Sequence, residues 1–228
     1  MIKKSALLLC LVLVTALASV GAWAKTPALV DGTDYATIAD GRPYAPLGGK
    51  IEVVEVFGYW CSHCAEFQPK LSAWTRTLPS DVRFTYVPAV FSAGDSFARA
   101  YFAAEHFGVL ARTHDAMFPA IHVDGVLAQN ATVDEIATYY GQHGLDAAKA
   151  RAYMTSPEVA AKLAYAHQFA LRSEVEGTPT LVVNGRYRIL GASHEDSLRI
   201  ASQLIAQLRT ATRHSPQHAS KSKPEIAR

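Results

Sequence analysis

The feature that most constrains this chain is a pair of cysteines, Cys61 and Cys64, set between an apolar β-branched run and a helical pattern. The run Ile51-Glu52-Val53-Val54-Glu55-Val56-Phe57 is short and rich in valine, which predicts a buried strand. From Cys64 to Leu78, Phe67, Leu71 and Trp74 recur at helical spacing, and Pro69 inside that stretch predicts a kink. A CxxC at a strand-to-helix junction is far more specific than the tetrapeptide alone. Two thiols three positions apart at a helix N-terminus can close a disulfide, while the first sulfur meets the unpaired N–H groups and the positive end of the helix dipole. Cys61 is therefore expected to be the nucleophile, and Cys64, one turn inside the helix, the buried resolving thiol. A thiolate at Cys61 gains from the dipole and from the His63 imidazole when that is protonated. The more stable that thiolate, the more oxidising the disulfide.

The rest of the sequence narrows the chemistry by exclusion. With 228 residues and three cysteines the chain is no disulfide-stapled scaffold. Its 50% hydrophobic and 18% charged content excludes disorder, and a net charge of +2 disfavours a dedicated nucleic-acid binder. Lys3 and Lys4, the uncharged stretch Ala6 to Gly21 and the small residues of Ala22-Trp23-Ala24 form a predicted export signal, residues 1–24, cleaved after Ala24. Its apolar part falls short of the roughly 20 residues that span a bilayer. Leu9 stands before Cys10, where a lipoprotein signal needs a small residue, so Cys10 leaves with the leader. Cys61 and Cys64 are then the mature chain's two thiols, in a soluble protein of an oxidising, extracytoplasmic compartment. Haem attachment needs His where Ala65 stands, and no His pair has ligand spacing near either cysteine. No metal and no cofactor are expected. A structural disulfide closing so small a loop contributes little stability.

Beyond the first helix, Val82 to Val87 reads as a second strand ended by Pro88, and Asp95 to Arg172 carries helical signals only. Among them are the capping-box form Thr132-Val133-Asp134-Glu135 and Ser156-Pro157-Glu158, a cap residue before a proline. Strand character returns at Thr180 to Val183, Asn184-Gly185 marks a hairpin into Arg186 to Leu190, and Ser193 caps a last helix. The predicted class is α/β with an inserted all-helical domain: residues 25–94 and 173–212 form the α/β domain, 95–172 the insertion, and 213–228 a disordered tail.

Glu55 lies in the middle of the predicted buried strand, where a carboxylate is costly without a task or a partner. Six residues before Cys61, it is placed to take or relay the Cys64 proton. Glu52, nearer the strand start, is expected to reach water. In Gly177-Thr178-Pro179, a cis Thr178-Pro179 bond before a strand is expected to leave edge backbone groups free for a peptide substrate. Phe57, Tyr59 and Trp60 suit either a groove for unfolded chains or the core.

Trp60-Cys61-Ser62-His63-Cys64 after an apolar strand, a helical block of this length, and Gly177-Thr178-Pro179-Thr180 before Val183-Asn184-Gly185 together resemble the DsbA family, periplasmic thiol:disulfide interchange proteins of the thioredoxin-fold superfamily. The resemblance runs over nearly all of the mature chain. It implies a thioredoxin fold with an inserted helical domain, a monomer, and an oxidising Cys61-Cys64 disulfide donated to reduced, newly exported polypeptides. It also implies re-oxidation by DsbB, a quinone-linked membrane partner. Cys61 matches the attacking cysteine, Cys64 the resolving one, His63 the thiolate-stabilising histidine, Glu55 the buried acid and Pro179 the cis-proline. Three positions depart from the family pattern. Ser62 stands where proline is common, which predicts a somewhat less oxidising protein. Tyr86 occupies the place of a lysine near the acid, where its hydroxyl is expected to hydrogen-bond Glu55. Thr178 replaces a frequent valine, bringing a hydroxyl towards Cys61. A reductase or isomerase, and a chaperone-like peptide binder with a merely structural disulfide, are the competing readings.

Overall fold

The computed structural model describes residues 27–92 and 94–214. The predicted export signal, with Cys10 and Ala24, lies outside the described residues, as do residues 215–228 of the predicted tail. In chain order the elements are β1 (Tyr35–Thr37), β2 (Ile51–Phe57), α1 (Ser62–Thr75), β3 (Val82–Pro88), α2 (Ser96–His106), α3 (Leu110–His122), α4 (Val133–Gln142), α5 (Ala147–Met154), α6 (Pro157–Arg172), β4 (Thr180–Val183), β5 (Tyr187–Ile189) and α7 (His194–His214).

All seven residues of β2 are buried, because the strand is central and covered on both faces. That is why its sequence is a continuous apolar run rather than an alternation. The sheet order is β1-β5-β4-β2-β3, with β2 parallel to β3 and antiparallel to β4. On one face Val53, Leu181 and Val183 pack against Phe67 and Leu71 of α1 and Ile200 and Leu204 of α7. On the other, Val54 and Val56 join the large core of the helical insertion, including Phe97, Tyr101, Phe118 and Phe169, and Phe57 packs into the same core from the end of the strand. Each such side chain contributes about 1.5–3 kcal/mol on burial, so the insertion and the sheet share one core rather than sitting apart.

The insertion comprises α2 to α6, between β3 and β4, as expected. Thr132 and Glu135 form the complete capping box, and the Ser156 hydroxyl accepts from the Val159 N–H ahead of Pro157. The Asn184-Gly185 turn has φ values of 52° and 61°, the left-handed pair that joins twisted strands tightly. Glycine is required at 185 for a second reason: a Cβ there would lie 1.9 Å from the Arg42 carbonyl oxygen.

Three expectations change. Strand β1 gave no signal, being three residues long and set in a polar lead; it exists through its antiparallel pairing with β5. The last helix continues to His214, past the predicted tail boundary at 213. Glu52 does not reach water. It is fully buried, because the lead folds over it: its carboxylate accepts from the N–H groups of Tyr44 at 2.7 Å and Ala45 at 3.1 Å and from Arg83 Nη2 at 2.6 Å.

Candidate functional site

Strand β2 delivers the chain to the site through a turn, Gly58 to Cys61, closed by the Cys61 N–H on the Gly58 carbonyl at 3.1 Å. Cys61 is the N-cap of α1, with extended φ/ψ of −84° and 119°, and no side-chain oxygen caps this helix. The first-turn N–H groups are thus left to the Cys61 sulfur. Both thiols are free; Cys64 is fully buried and Cys61 is 8% exposed.

The two thiols are driven apart in acidity. The Cys61 thiol is pulled down to about 5, first by the hydrogen bond from the Cys64 thiol, against the opposing effect of burial, then by Thr178 and by the backbone N–H groups of Cys64 and His63. Cys64 is pushed far up, because its proton is committed to the Cys61 sulfur, its site is buried, and the Glu55 carboxyl adds negative charge. One sulfur is thereby an anion at neutral pH and its neighbour a protonated donor.

Thr178 faces Cys61 with two groups of opposite character. Its carbonyl oxygen is 3.3 Å from Cys61 Sγ and accepts from the thiol. A carbonyl cannot donate, so its side-chain hydroxyl is the group that stabilises the thiolate. The Thr178-Pro179 bond is cis. Thr178, Pro179, Leu181 and Ile189 line a groove of about 420 Å³ with His63 and Phe67 of α1. Ladder pairing of β4 with β5 begins only at Val182, leaving Thr180 and Leu181 open on that side.

Glu55 is fully buried, and neither carboxyl oxygen has a hydrogen-bond partner. Burial, and next the charge of Cys61, raise its pKa well above the usual carboxylate range. Tyr86 pairs with Glu55 in the β2–β3 register. The expected Tyr86–Glu55 hydrogen bond is absent: the Tyr86 hydroxyl accepts from Gln68 Nε2 at 2.9 Å, a partner on α1 that strand register could not reveal. His63 also sits differently from expectation. Its imidazole is exposed, with Nδ1 3.9 Å from Glu66 Oε2, and its contribution at the Cys61 sulfur comes from the backbone N–H. Phe57 and Tyr59 are core; Trp60 is half-buried and packs edge-on against the exposed Phe91.

Several residues at the site escaped sequence reasoning. Gln68, one turn after Cys64, is a buried amide bonded also to Asp115 Oδ1 at 2.8 Å. A polar residue beside Phe67 in the apolar stripe was its only signal. His114 and His122 of α3 both bond Tyr59, and their helix is distant from the CxxC in sequence. No cluster of three metal-ligating side chains occurs among the described residues, and none of their helices is long and apolar enough to cross a membrane.

The sequence profile of the DSBA-like thioredoxin domain matches residues 52–203. The thiol:disulfide interchange protein DsbA of Azotobacter vinelandii is 38% identical over 205 residues, covering 86% of this chain and 94% of that protein. That of Pseudomonas aeruginosa is 34% identical over 186 residues, covering 80% and 87%. Among solved structures, the oxidoreductase DsbA from Xylella fastidiosa superposes with a TM-score of 0.77 at 50% identity, over 80% of this chain and 98% of that one. The P. aeruginosa DsbA structure gives 0.74 at 33%, over 81% and 97%. A mixed sheet of thioredoxin type interrupted by helices, a CxxC at a helix N-terminus facing a cis-proline, and relatives aligned along most of their length place this chain in the DsbA family of thiol:disulfide oxidoreductases.

Proposed function

We propose that the protein is a dithiol oxidase that donates the Cys61–Cys64 disulfide to newly exported polypeptides through a mixed disulfide. A substrate thiolate attacks Cys61 Sγ, the Cys61–Cys64 bond breaks, and Cys64 departs with the electron pair. A second substrate thiolate then attacks the substrate sulfur of the mixed disulfide, forming the substrate's disulfide and expelling Cys61 as a thiolate. Two electrons have passed to the enzyme.

What supports this direction is the unequal pair of thiols, Cys61 held near 5 while Cys64 is raised. A stabilised Cys61 thiolate favours the reduced enzyme and makes Cys61 the better leaving group, so electrons flow from substrate to enzyme. Cys64 needs a proton on departure and must lose it on re-oxidation. Glu55, whose pKa burial raises, is the acid and then the base for that transfer, and Thr178 steadies the thiolate. In this reading His63 acts chiefly through its backbone. The groove beside Pro179, with the open edge at Thr180 and Leu181, takes an extended peptide as an added strand.

The rest of the proposal follows from the leader and the family: export to the periplasm with cleavage after Ala24, action as a monomer with residues 95–172 as the helical insertion, and re-oxidation by DsbB. The test is the reduction potential of the purified protein with the Cys61 pKa. A potential well above thioredoxin's with an acidic thiol is expected. A thioredoxin-like potential with an ordinary thiol would remove the oxidase and leave the reductase or isomerase. Peptide binding and biological effect that survive Cys61→Ser would instead support the chaperone.

A further inference from the structure

The approach to Cys61 is gripped by the helical insertion through residues that no motif flags. Tyr59 and Trp60 occupy the middle of the Gly58 to Cys61 turn. The two common turn types differ by a flip of the peptide between those central residues, so what holds that peptide sets how the chain enters Cys61. Helix α3 supplies the hold. His122 Nε2 lies 2.8 Å from the Tyr59 carbonyl oxygen, and since a carbonyl only accepts, Nε2 carries the hydrogen. Two turns earlier on the same helix, His114 Nδ1 lies 2.7 Å from the Tyr59 hydroxyl. The Tyr59 ring is buried and packs against Phe118 of α3 and Phe97 of α2. Both polar ends of the residue two before Cys61 are therefore fixed by α3. His122 makes its bond from the wall of a mostly apolar pocket between α1 and α3, shared with Ala65 and Pro69.

We propose that His122 is a positioning residue of the dithiol site, its hydrogen bond to the Tyr59 carbonyl fixing the turn that delivers Cys61 to the N-terminus of α1. The donors that stabilise the Cys61 thiolate, the Cys64 thiol, the Thr178 hydroxyl and the N–H groups of Cys64 and His63, converge on one Sγ position. A shift of a few tenths of an ångström weakens all of them together. In the disulfide the same sulfur is held covalently by Cys64, so a loosened turn costs the thiolate more than the disulfide. Loss of the bond therefore makes the disulfide a weaker oxidant.

The inference rests on the proposed role of Cys61 as the attacking thiol. It is tested on the full protein by thiolate absorbance titration and by equilibration with glutathione, comparing His122→Ala, His122→Gln and His143→Ala. His143, at the end of α4, makes a similar bond to the Tyr139 carbonyl at 2.9 Å but takes no part in the turn. We expect His122→Ala to raise the Cys61 pKa and to lower the oxidising equilibrium constant about tenfold, which is about 30 mV for this two-electron couple. Glutamine, which can donate from a similar reach, should restore most of both, and His143→Ala should leave both unchanged. An unchanged pKa and potential in His122→Ala, or a glutamine variant as impaired as alanine, would overturn the assignment. Should the alanine variant fail to fold, His122→Leu fills the space without donating and carries the same comparison. Both measurements concern this protein and glutathione alone, so a protein that proved to be a reductase would leave the assignment standing.

Discussion

Glu55 and Tyr86 pair directly across β2 and β3, yet they do not hydrogen-bond: both carboxyl oxygens of Glu55 are buried and unpartnered while the Tyr86 hydroxyl accepts from Gln68. The acid's pKa is consequently governed by burial and then by the Cys61 charge, both of which raise it. In the proposed reaction this makes it the proton reservoir for Cys64.

That arrangement has a pH signature. Glu55 binds its proton more tightly folded than unfolded, so between its unfolded pKa near 4.5 and its raised folded value the native state loses stability as pH rises. At its steepest the loss is about 1.4 kcal/mol per pH unit. Glu55→Gln should abolish that component, so the variant's stability relative to the parent climbs from pH 4 to pH 8 in denaturant melts. It should also slow the step in which Cys64 gains or loses its proton, without raising the Cys61 pKa. A flat difference profile would contradict the raised pKa.

Cys61 works in the opposite sense. Its folded pKa, about 5, lies below the ordinary thiol value of 9.0, so the reduced protein should gain stability as pH rises through that window. The disulfide form has no such titration and should show no such gain. Cys61→Ser should remove the gain in the reduced form. Alkylation of the reduced parent should follow a single midpoint near pH 5, at Cys61 alone, since Cys64 is buried and its pKa raised.

Thr178→Val keeps the carbonyl near Cys61 and deletes the hydroxyl donor. A hydrogen bond to a charged group contributes about 1.5–3 kcal/mol, so the Cys61 pKa should rise by about one to two units and the disulfide become less oxidising. Thr178→Ser should stay close to the parent. Thiolate titration of the two variants separates the hydroxyl from the shape of the side chain.

Arg83→Met tests a site remote from the thiols. It leaves the Glu52 carboxylate fully buried with only the Tyr44 and Ala45 N–H donors. Breaking a buried pair from one side costs about 3–5 kcal/mol, and with Arg83 itself 28% exposed we expect the lower end. Urea melts should show that loss while the Cys61 pKa stays where it was.

Where sequence was legible, the physics was local. Seven apolar or β-branched residues in a row specify a covered strand, Cys61 before a helical stripe specifies a helix N-terminus, and Asn184-Gly185 specifies a turn, because each depends on near neighbours. The resemblance carried by the CxxC and Thr178-Pro179 supplied the fold. Glu52 was misplaced because its burial depends on the lead and on Arg83 of the adjacent strand. The Tyr86 partner was misassigned because register brings two residues opposite without saying which third group competes for the hydroxyl.

The sequence by itself thus determined the presence of a redox pair at a helix N-terminus, the buried acid behind it and the proline before a short strand. The tertiary structure alone decided how those groups interact. It widened the gap that the Cys61–Cys64 hydrogen bond opens, through the Thr178 hydroxyl more than a hundred residues away in the chain. It also anchored the turn before Cys61 to His114 and His122 of the insertion. Hydrogen bonds of this kind act over about 3 Å whatever the separation along the chain, so no local pattern announces them.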